Sequence, residues 1–462
     1  MQVGRRRWAT LAMLGAVAAA AASCGDRGAT DKTVVIALGD DADVIFPLLW
    51  TRTPGRVYTE LMFDKLADIG AAQNTIGDAG YEPRLATSWT WAPDSLSIAF
   101  HLDPRARWQD SVPVRAADVR FAFQVYTDPR TGASSGGDMA KIADSVTVTD
   151  SLTATVWYKR RTPEQFHAIA YNLVPLPEHL LGAVPHDSLR TSAFARHPVG
   201  NGPFRFVAWE PSVRFELGAS ATYARGRPKL DRVVFTIFKD ASALARAVFA
   251  GDADFVEVLQ PDDAAEAARH PDVRLVPSPR YEYGFLSFNL RAPDGRAPSP
   301  IFADRRMRRA LTMAVDRAAI VRNVYDSLGA RSFGPFTRRQ WSADTTIAEL
   351  PYDTTAAART LDSLGWTRGA DGVRARGGMR LAFTITVMAT NRSRPRAAEL
   401  VQQQLARAGV EAKIDLLDGR AFGDRLASHA FDAALFSWST SPSPSGLTQT
   451  WKSDAYRPKS PF

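Results

Sequence analysis

The chain of 462 residues reads as an α/β protein built from more than one domain. Three observations carry this. Short β-branched or alternating apolar runs recur along it, with stretches of helical spacing between them, the pattern of strands and helices packed in layers. The length exceeds what one hydrophobic core serves, so two or three domains are expected. Composition is that of an ordinary folded protein, with 45% hydrophobic and 23% charged residues.

The elements follow in order. Residues 33–38 (TVVIAL) form a continuous β-branched run, a buried strand. Residues 57–66 (VYTELMFDKL) have the spacing of a helix. Strands at 85–91 and 97–102 surround the turn pair Pro93-Asp94. Asp118 precedes Val119, Phe121 and Ala122 on a helix. Residues 199–206 (VGNGPFRF) set two glycines and a proline in a sharp turn before a strand. A turn at 225–228 leads to a strand ending in VVFTIF. A helix at 241–250 ends at Gly251, and 252–258 (DADFVEV) is a short strand. Tyr281, Tyr283 and Phe285 alternate as a strand. After a loop, a helix opens at Asp304, with Met307, Leu311, Ala314 and Val315 on its buried face and Arg305, Arg306, Arg308 and Arg309 on the others. Then come a helix at 356–364, a strand at 381–387, a helix at 395–408 capped by Gly409, a strand at 410–416, a helix at 422–428 and a strand at 431–438.

Residues 1–23 read as an export signal, with Arg5, Arg6 and Arg7 before an apolar run too short to span a bilayer. The one cysteine, Cys24, follows Ala21-Ala22-Ser23, which resembles a bacterial lipobox and predicts diacylation there. The alternative is cleavage at an Ala-x-Ala site that leaves a free thiol, and the arginine run leaves general-secretory and twin-arginine export both open. With no second cysteine, disulfides are excluded. Residues 24–32 form a polar tether. The formal charge of +8 falls to 8 − 3 = +5 without the signal arginines. The one dense basic cluster lies on a helix with a core face, so nucleic acid is not expected. No nucleophile elbow, zinc-protease helix, phosphate loop or dinucleotide fingerprint occurs, and no catalytic residue is assigned. The seven histidines are scattered, none paired at metal-ligand spacing, so neither a metal site nor another cofactor is expected.

Several segments, taken together, carry a resemblance. They are FNLRAPDGRAPSPIFADRRMRRALTMAVDR at 288–317, PRLATSWTWAPDSLSIAFHLDPRARWQDSVPVRAADVRFAF at 83–123, the turn at 199–206, the helix followed by Gly-Asp-Ala-Asp, and the strand ending at Trp438. In this order they resemble the family-5 extracellular solute-binding proteins, the peptide and nickel receptors of ABC importers. The resemblance implies a periplasmic-binding-protein-like (type II) two-lobed fold with an extra subdomain in lobe I. Lobe I would span 33–286, with the subdomain at about 75–192, and lobe II 287–462. It implies no enzyme, but a monomeric receptor that captures a peptide or similar small polar solute in an interlobe cleft and delivers it to an ABC permease. The expected location is periplasmic or at the cell surface, held to the membrane by lipid on Cys24. A sugar or other non-peptide ligand, or a signalling receptor on the same fold, are the alternatives.

The resemblance also places the site. Trp438, Ser439, Thr440 and Ser441 would line the cleft. Where peptide-binding members carry an aspartate for the α-ammonium this chain has Ser441, and Ser443 stands in place of a second aspartate. A buried ammonium without a carboxylate is costly, so a neutral solute or blocked peptide fits better. Asn391, Arg392 and Arg394 follow a lobe II strand, where an arginine could clamp a carboxylate. Asp40 and Asp41 end the first strand and face the same cleft. Trp108 and Asp118 read as a core anchor and a helix cap, and Ser111 replaces a glycine of the family's loop. The family pattern continues past TWKSDAYRPKSPF, so lobe II is expected to be incomplete in this chain.

Overall fold

The computed structural model describes residues 32–452 apart from 135, 293–296 and 390–391. The export segment, Cys24, most of the tether, Asn391 and residues 453–462 lie outside the described residues.

Strand β1 (Thr33–Leu38) opens lobe I, followed by helix α1 (Thr53–Met62). The expected helix at 57–66 thus begins and ends earlier. Pro54 sits in its first turn, where a missing N–H costs nothing. Its end is imposed from outside. A Cβ on Gly200 would lie 2.0 Å from the Met62 carbonyl oxygen, and one on Gly202 2.7 Å from the Met62 carbonyl carbon. Gly202 N donates to the Met62 carbonyl at 2.8 Å, and Asn201 Oδ1 accepts from Asp64 N at 3.0 Å. A glycine turn more than a hundred residues away in the chain therefore stops the helix.

The subdomain comes next. A small pair, β2 (Ala67–Ile69) with β3 (Tyr81–Pro83), precedes an antiparallel sheet of β4 (Ala86–Trp91), β5 (Ser97–Leu102), β6 (Ala143–Asp150) and β7 (Thr153–Tyr158), ordered β4-β5-β7-β6. Helix α2 (Ala116–Thr127) packs on it. Trp89 and Trp91 both donate to Asp78 Oδ2, at 2.8 and 3.0 Å. The chain returns to lobe I through β8 (Phe204–Glu210), β9 (Arg214–Ala219), β10 (Arg232–Ile237), helix α3 (Ala241–Phe249), β11 (Phe255–Val256) and helix α4 (Pro261–Ala267). The lobe I sheet runs β11-β1-β10-β9-β8, with β1 parallel to both its neighbours. The strand expected at 252–258 shrinks to two residues. Beside it Asp254 spends its carboxylate on Val35 N, at 2.7 Å.

Lobe II contains β12 (Glu282–Phe288), helix α5 (Arg305–Met313), helix α6 (Thr354–Ser363), a ribbon β13 (Thr367–Arg368), β14 (Arg374–Arg376) and β15 (Met379–Arg380), then β16 (Ala382–Met388), helix α7 (Ser393–Arg407), β17 (Glu411–Leu417), helix α8 (Gly419–Ala427) and β18 (Ala433–Ser439). Its main sheet is ordered β12-β18-β16-β17. Helices α5, α6 and α8 start at Asp304, Asp353 and Asp418, whose carboxylates accept backbone N–H groups of the first turn. On α5 Arg305, Arg306 and Arg309 are exposed and Arg308 is half-buried, while Met307, Ala310 and Leu311 are buried, as the spacing requires. Residues 329–353 run without helix or strand.

One apolar core joins subdomain and lobe I, with Tyr58, Phe100, Trp108, Phe166, Phe215 and Phe235 fully buried in it. Lobe II has its own, around Phe302, Leu311, Trp366, Ile385 and Leu405.

Candidate functional site

The described residues among those singled out from the sequence fall into three groups, at the loop after β18, the start of α7 and the end of β1. The first is the loop after β18. Trp438 lies opposite Tyr283 in the β12–β18 register and meets Phe436 edge-on, with ring centroids 5.5 Å apart, so its ring packs within lobe II. Ser439 and Ser441 are exposed. Thr440 N donates to the Tyr281 carbonyl at 2.6 Å, extending the strand pairing by one bond. Ser441 Oγ donates to the Ser443 carbonyl at 3.3 Å, while Ser443 is buried with its hydroxyl 2.6 Å from that of Ser445.

The second group starts α7. Arg394 turns back into its own lobe. It donates to Ser437 Oγ at 2.5 Å and lies 3.8 Å from Glu282, which itself accepts from Ser437 at 2.7 Å. Glu282 compensates that guanidinium, so Arg394 is not an open carboxylate clamp. Arg392 is exposed and donates to Ser242 Oγ of lobe I. Together Arg392 and Ser242 border a cavity of about 610 Å³ that is otherwise lined by α3, α4 and their neighbours, including Arg246, Phe249, Asp263 and His270. His270 stacks flat on Phe249 at 4.4 Å.

The third group ends β1. Asp40 is exposed and pairs with Arg52 at 3.1 Å. Asp41 is buried. Its carboxylate accepts from Trp209 Nε1 at 3.0 Å and from Ser212 N at 2.8 Å, tying β1 to the β8–β9 turn. These bonds give Asp41 a structural task. Its neighbour Asp43 is pulled both ways. Burial pushes its carboxyl up, but the hydrogen bonds from Thr51 and Arg190 outweigh this and hold it at about 2.

The structure adds residues that the sequence reading missed, in the irregular stretch 329–353. Gln340 is buried, accepts from Thr337 N at 2.7 Å and donates to the Ser441 carbonyl at 3.1 Å, fixing the serine loop from beneath. Trp341 Nε1 donates to Thr75 Oγ1 at 3.1 Å, across to the subdomain. Arg339 donates to the Pro279 carbonyl at 2.6 Å and sits over the Tyr281 ring, and the Tyr281 hydroxyl bonds Gln73. The one available signal was the polar Thr-Arg-Arg-Gln-Trp run in a long stretch without periodicity.

Trp108 and Asp118 form a buried node. Asp118 accepts from Trp108 Nε1 at 3.1 Å, Arg115 N at 2.8 Å and Glu178 N at 3.0 Å. Burial still pushes its carboxyl up. Among the described residues, no group of three or more His, Cys, Asp and Glu could hold a metal ion, and no helix is long and apolar enough to cross a membrane.

The family pattern of the bacterial extracellular solute-binding proteins, family 5 middle region, matches residues 80–458. The chain belongs to that family. Family 5 consists of solute-binding proteins rather than enzymes. Among its relatives, the oligopeptide-binding protein AppA of Bacillus subtilis is 30% identical over 369 residues, which is 78% of this chain and 66% of AppA. An ABC transporter peptide-binding protein so described for Brucella ovis is 27% identical over 297 residues, 64% of this chain and 53% of its own length. The chain thus spans about two thirds or less of these two relatives. The solved structure of AppA with a nonapeptide superposes with a TM-score of 0.73 at 25% identity, covering 89% of this chain and 80% of AppA. That of NikZ from Campylobacter jejuni with Ni(L-His) superposes at 0.79 with 23% identity, covering 92% and 81%, a likeness of fold. The fold read from the sequence, two α/β lobes with an extra subdomain in lobe I, is the fold of these family-5 structures.

Proposed function

We propose that the protein is the receptor of an ABC importer, which takes a peptide or similar small polar solute between its lobes and presents it to a permease. The observation that carries this is the family match, which runs through both lobes. Ligand contacts made from both sides would favour the closed arrangement, the form a permease can distinguish. The serine loop, with Trp438, Ser439, Thr440 and Ser441, together with Asn391, Arg392 and Asp40, supplies the site in this reading. Attachment by lipid at Cys24 and action as a monomer belong to the same proposal.

The ligand chemistry follows from Ser441 and Ser443. Hydroxyls there offer no charge to a free α-ammonium, so a blocked peptide, a sugar or another neutral polar solute is favoured. The exposed Arg392 beside its cavity adds a place for an acidic group. Native mass spectrometry of a Cys24→Ser chain, followed by denaturation, identifies what is carried. A co-purified small solute supports the reading. Titration calorimetry then compares N-acetylated with free peptides, with tighter binding of the acetylated set expected. A chain that carries nothing and binds neither peptides nor sugars overturns it.

A further inference from the structure

Helix α7 starts against the usual electrostatic preference. Its entry and first turn carry Arg392, Arg394 and Arg396, with no acidic residue. The N-terminal end of a helix is already positive, so cations there weaken it. A local rule broken in this way points to work done elsewhere in the molecule. Arg394 serves its own lobe. Arg392 and Arg396, four residues apart and therefore on one helical face, both reach lobe I. Arg396 forms a two-pronged ion pair with Asp262, Nη1 to Oδ1 at 2.9 Å and Nη2 to Oδ2 at 2.8 Å. Arg392 donates to Ser242. Ser242 lies in the first turn of α3 and Asp262 in the first turn of α4. Two helix starts on one lobe thus meet one arginine face on the other.

We infer that Arg392 and Arg396 form a latch that holds the lobes together before any solute is bound, and so sets the ligand-free closed population. This rests on the proposed role as a cleft receptor. The remaining cross-lobe bonds named above, Trp341 to Thr75 and Tyr281 to Gln73, join neutral side chains. The latch is the charged contact. Both partners of the Arg396–Asp262 pair are half exposed, at 50% each. A pair of that kind shifts a two-state balance by about two- to fivefold. It is also screened, because the Debye length falls from about 8 Å at 0.15 M salt to about 3 Å at 1 M. A solute carrying an acidic group could take Arg392 from Ser242, releasing that half of the latch while the Arg396–Asp262 pair stays formed.

The test uses the full chain with Cys24→Ser, stripped of solute by unfolding and refolding, and spin-labelled at Lys141→Cys and Lys413→Cys, both well exposed. Pulsed electron-electron distance measurements read the lobe separation, and small-angle scattering checks it without labels. Asp262→Asn and Arg396→Gln are each expected to raise the open-to-closed ratio about two- to fivefold at 0.15 M salt. One molar salt should do the same to the parent chain and add nothing to either variant. The exchanged pair Asp262→Arg with Arg396→Asp should restore closure. Unchanged distributions in the single variants, an exchanged pair that stays open, or a parent chain with no closed population each overturn the latch. No solute is used, so a failed latch leaves the receptor reading intact. A cleft that binds nothing in the mass-spectrometry experiment leaves the latch measurable.

Discussion

In lobe I with its subdomain the buried polar side chains include Asp41, Asp64, Asp103, Asp118, His167 and Glu216. In lobe II, among the described residues, they are hydroxyls and amides such as Thr337, Gln340, Thr386, Gln404 and Ser443, with Arg374 the one charged group. The difference has a physical consequence. A buried carboxylate must be answered by donors, and in lobe I those donors come from distant segments, as Trp209 and Ser212 do for Asp41 and Glu178 for Asp118. Such groups specify which segments meet, and their protonation couples to folding. Lobe II uses neutral groups whose hydrogen bonds do not titrate. Its arginine donates to the carbonyls of Ala408 at 2.9 Å and Trp366 at 2.6 Å and to Asp362.

The largest test of this contrast is Asp118→Ala. It removes the acceptor of three donors, of which the Trp108 indole is fully buried, and a loss of about 4 kcal/mol in urea unfolding is expected. Arg374→Met, the lobe II counterpart, leaves two buried carbonyls unanswered and should cost about 3 kcal/mol.

The pH experiment is the sharper one. Burial raises Asp64 from 3.8 to about 6, despite the hydrogen bond it accepts from Tyr223 at 3.1 Å. Burial, assisted by the Lys65 charge, lowers His167 from 6.5 to about 4, where its Nδ1 lies 2.7 Å from the Tyr81 hydroxyl. The signs oppose. Asp64 has a raised folded value, so its contribution is full below about 3.8 and is lost as pH rises through about 6. His167 has a depressed folded value, so its contribution is full above 6.5 and is lost as pH falls through about 4. Over pH 4–6 the two nearly cancel. Asp64→Asn should then make stability rise with pH across this window by about 2–3 kcal/mol, and His167→Gln should make it fall by a similar amount. Flat profiles in both variants would remove the contrast between the lobes.

A smaller effect concerns Ser111, which holds φ at 75° in the loop between Trp108 and α2. An L side chain is disfavoured in that region, so Ser111→Gly should stabilise lobe I by about 1 kcal/mol, seen as a higher melting temperature. No gain would mean that the hydroxyl has a compensating task.

Much of the fold could be read before the structure. Strand β1 matches its β-branched run at both ends, and Met307, Ala310 and Leu311 form the buried stripe of α5 while Arg305, Arg306 and Arg309 are exposed. The site was legible only in part. Arg392 borders the cavity beside α3 and α4, yet nothing local in the sequence says that Arg394 spends its charge on Glu282 or that Asp41 is consumed by Trp209. The Gln340 contact with Ser441 joins residues about a hundred positions apart through a stretch with no periodicity.

What the sequence determined by itself is therefore everything that depends on neighbours a few residues away. That includes strands set by β-branched runs, helix starts set by Asp304, Asp353 and Asp418, and the φ-positive turn after α7 taken by Gly409 at 84°. The tertiary structure alone decided where α1 stops, which carboxylates are buried and which remain at the surface, and which arginines reach across to the other lobe. These outcomes rest on desolvation and on contacts between distant segments. Both are properties of the packed chain, and no local pattern encodes them.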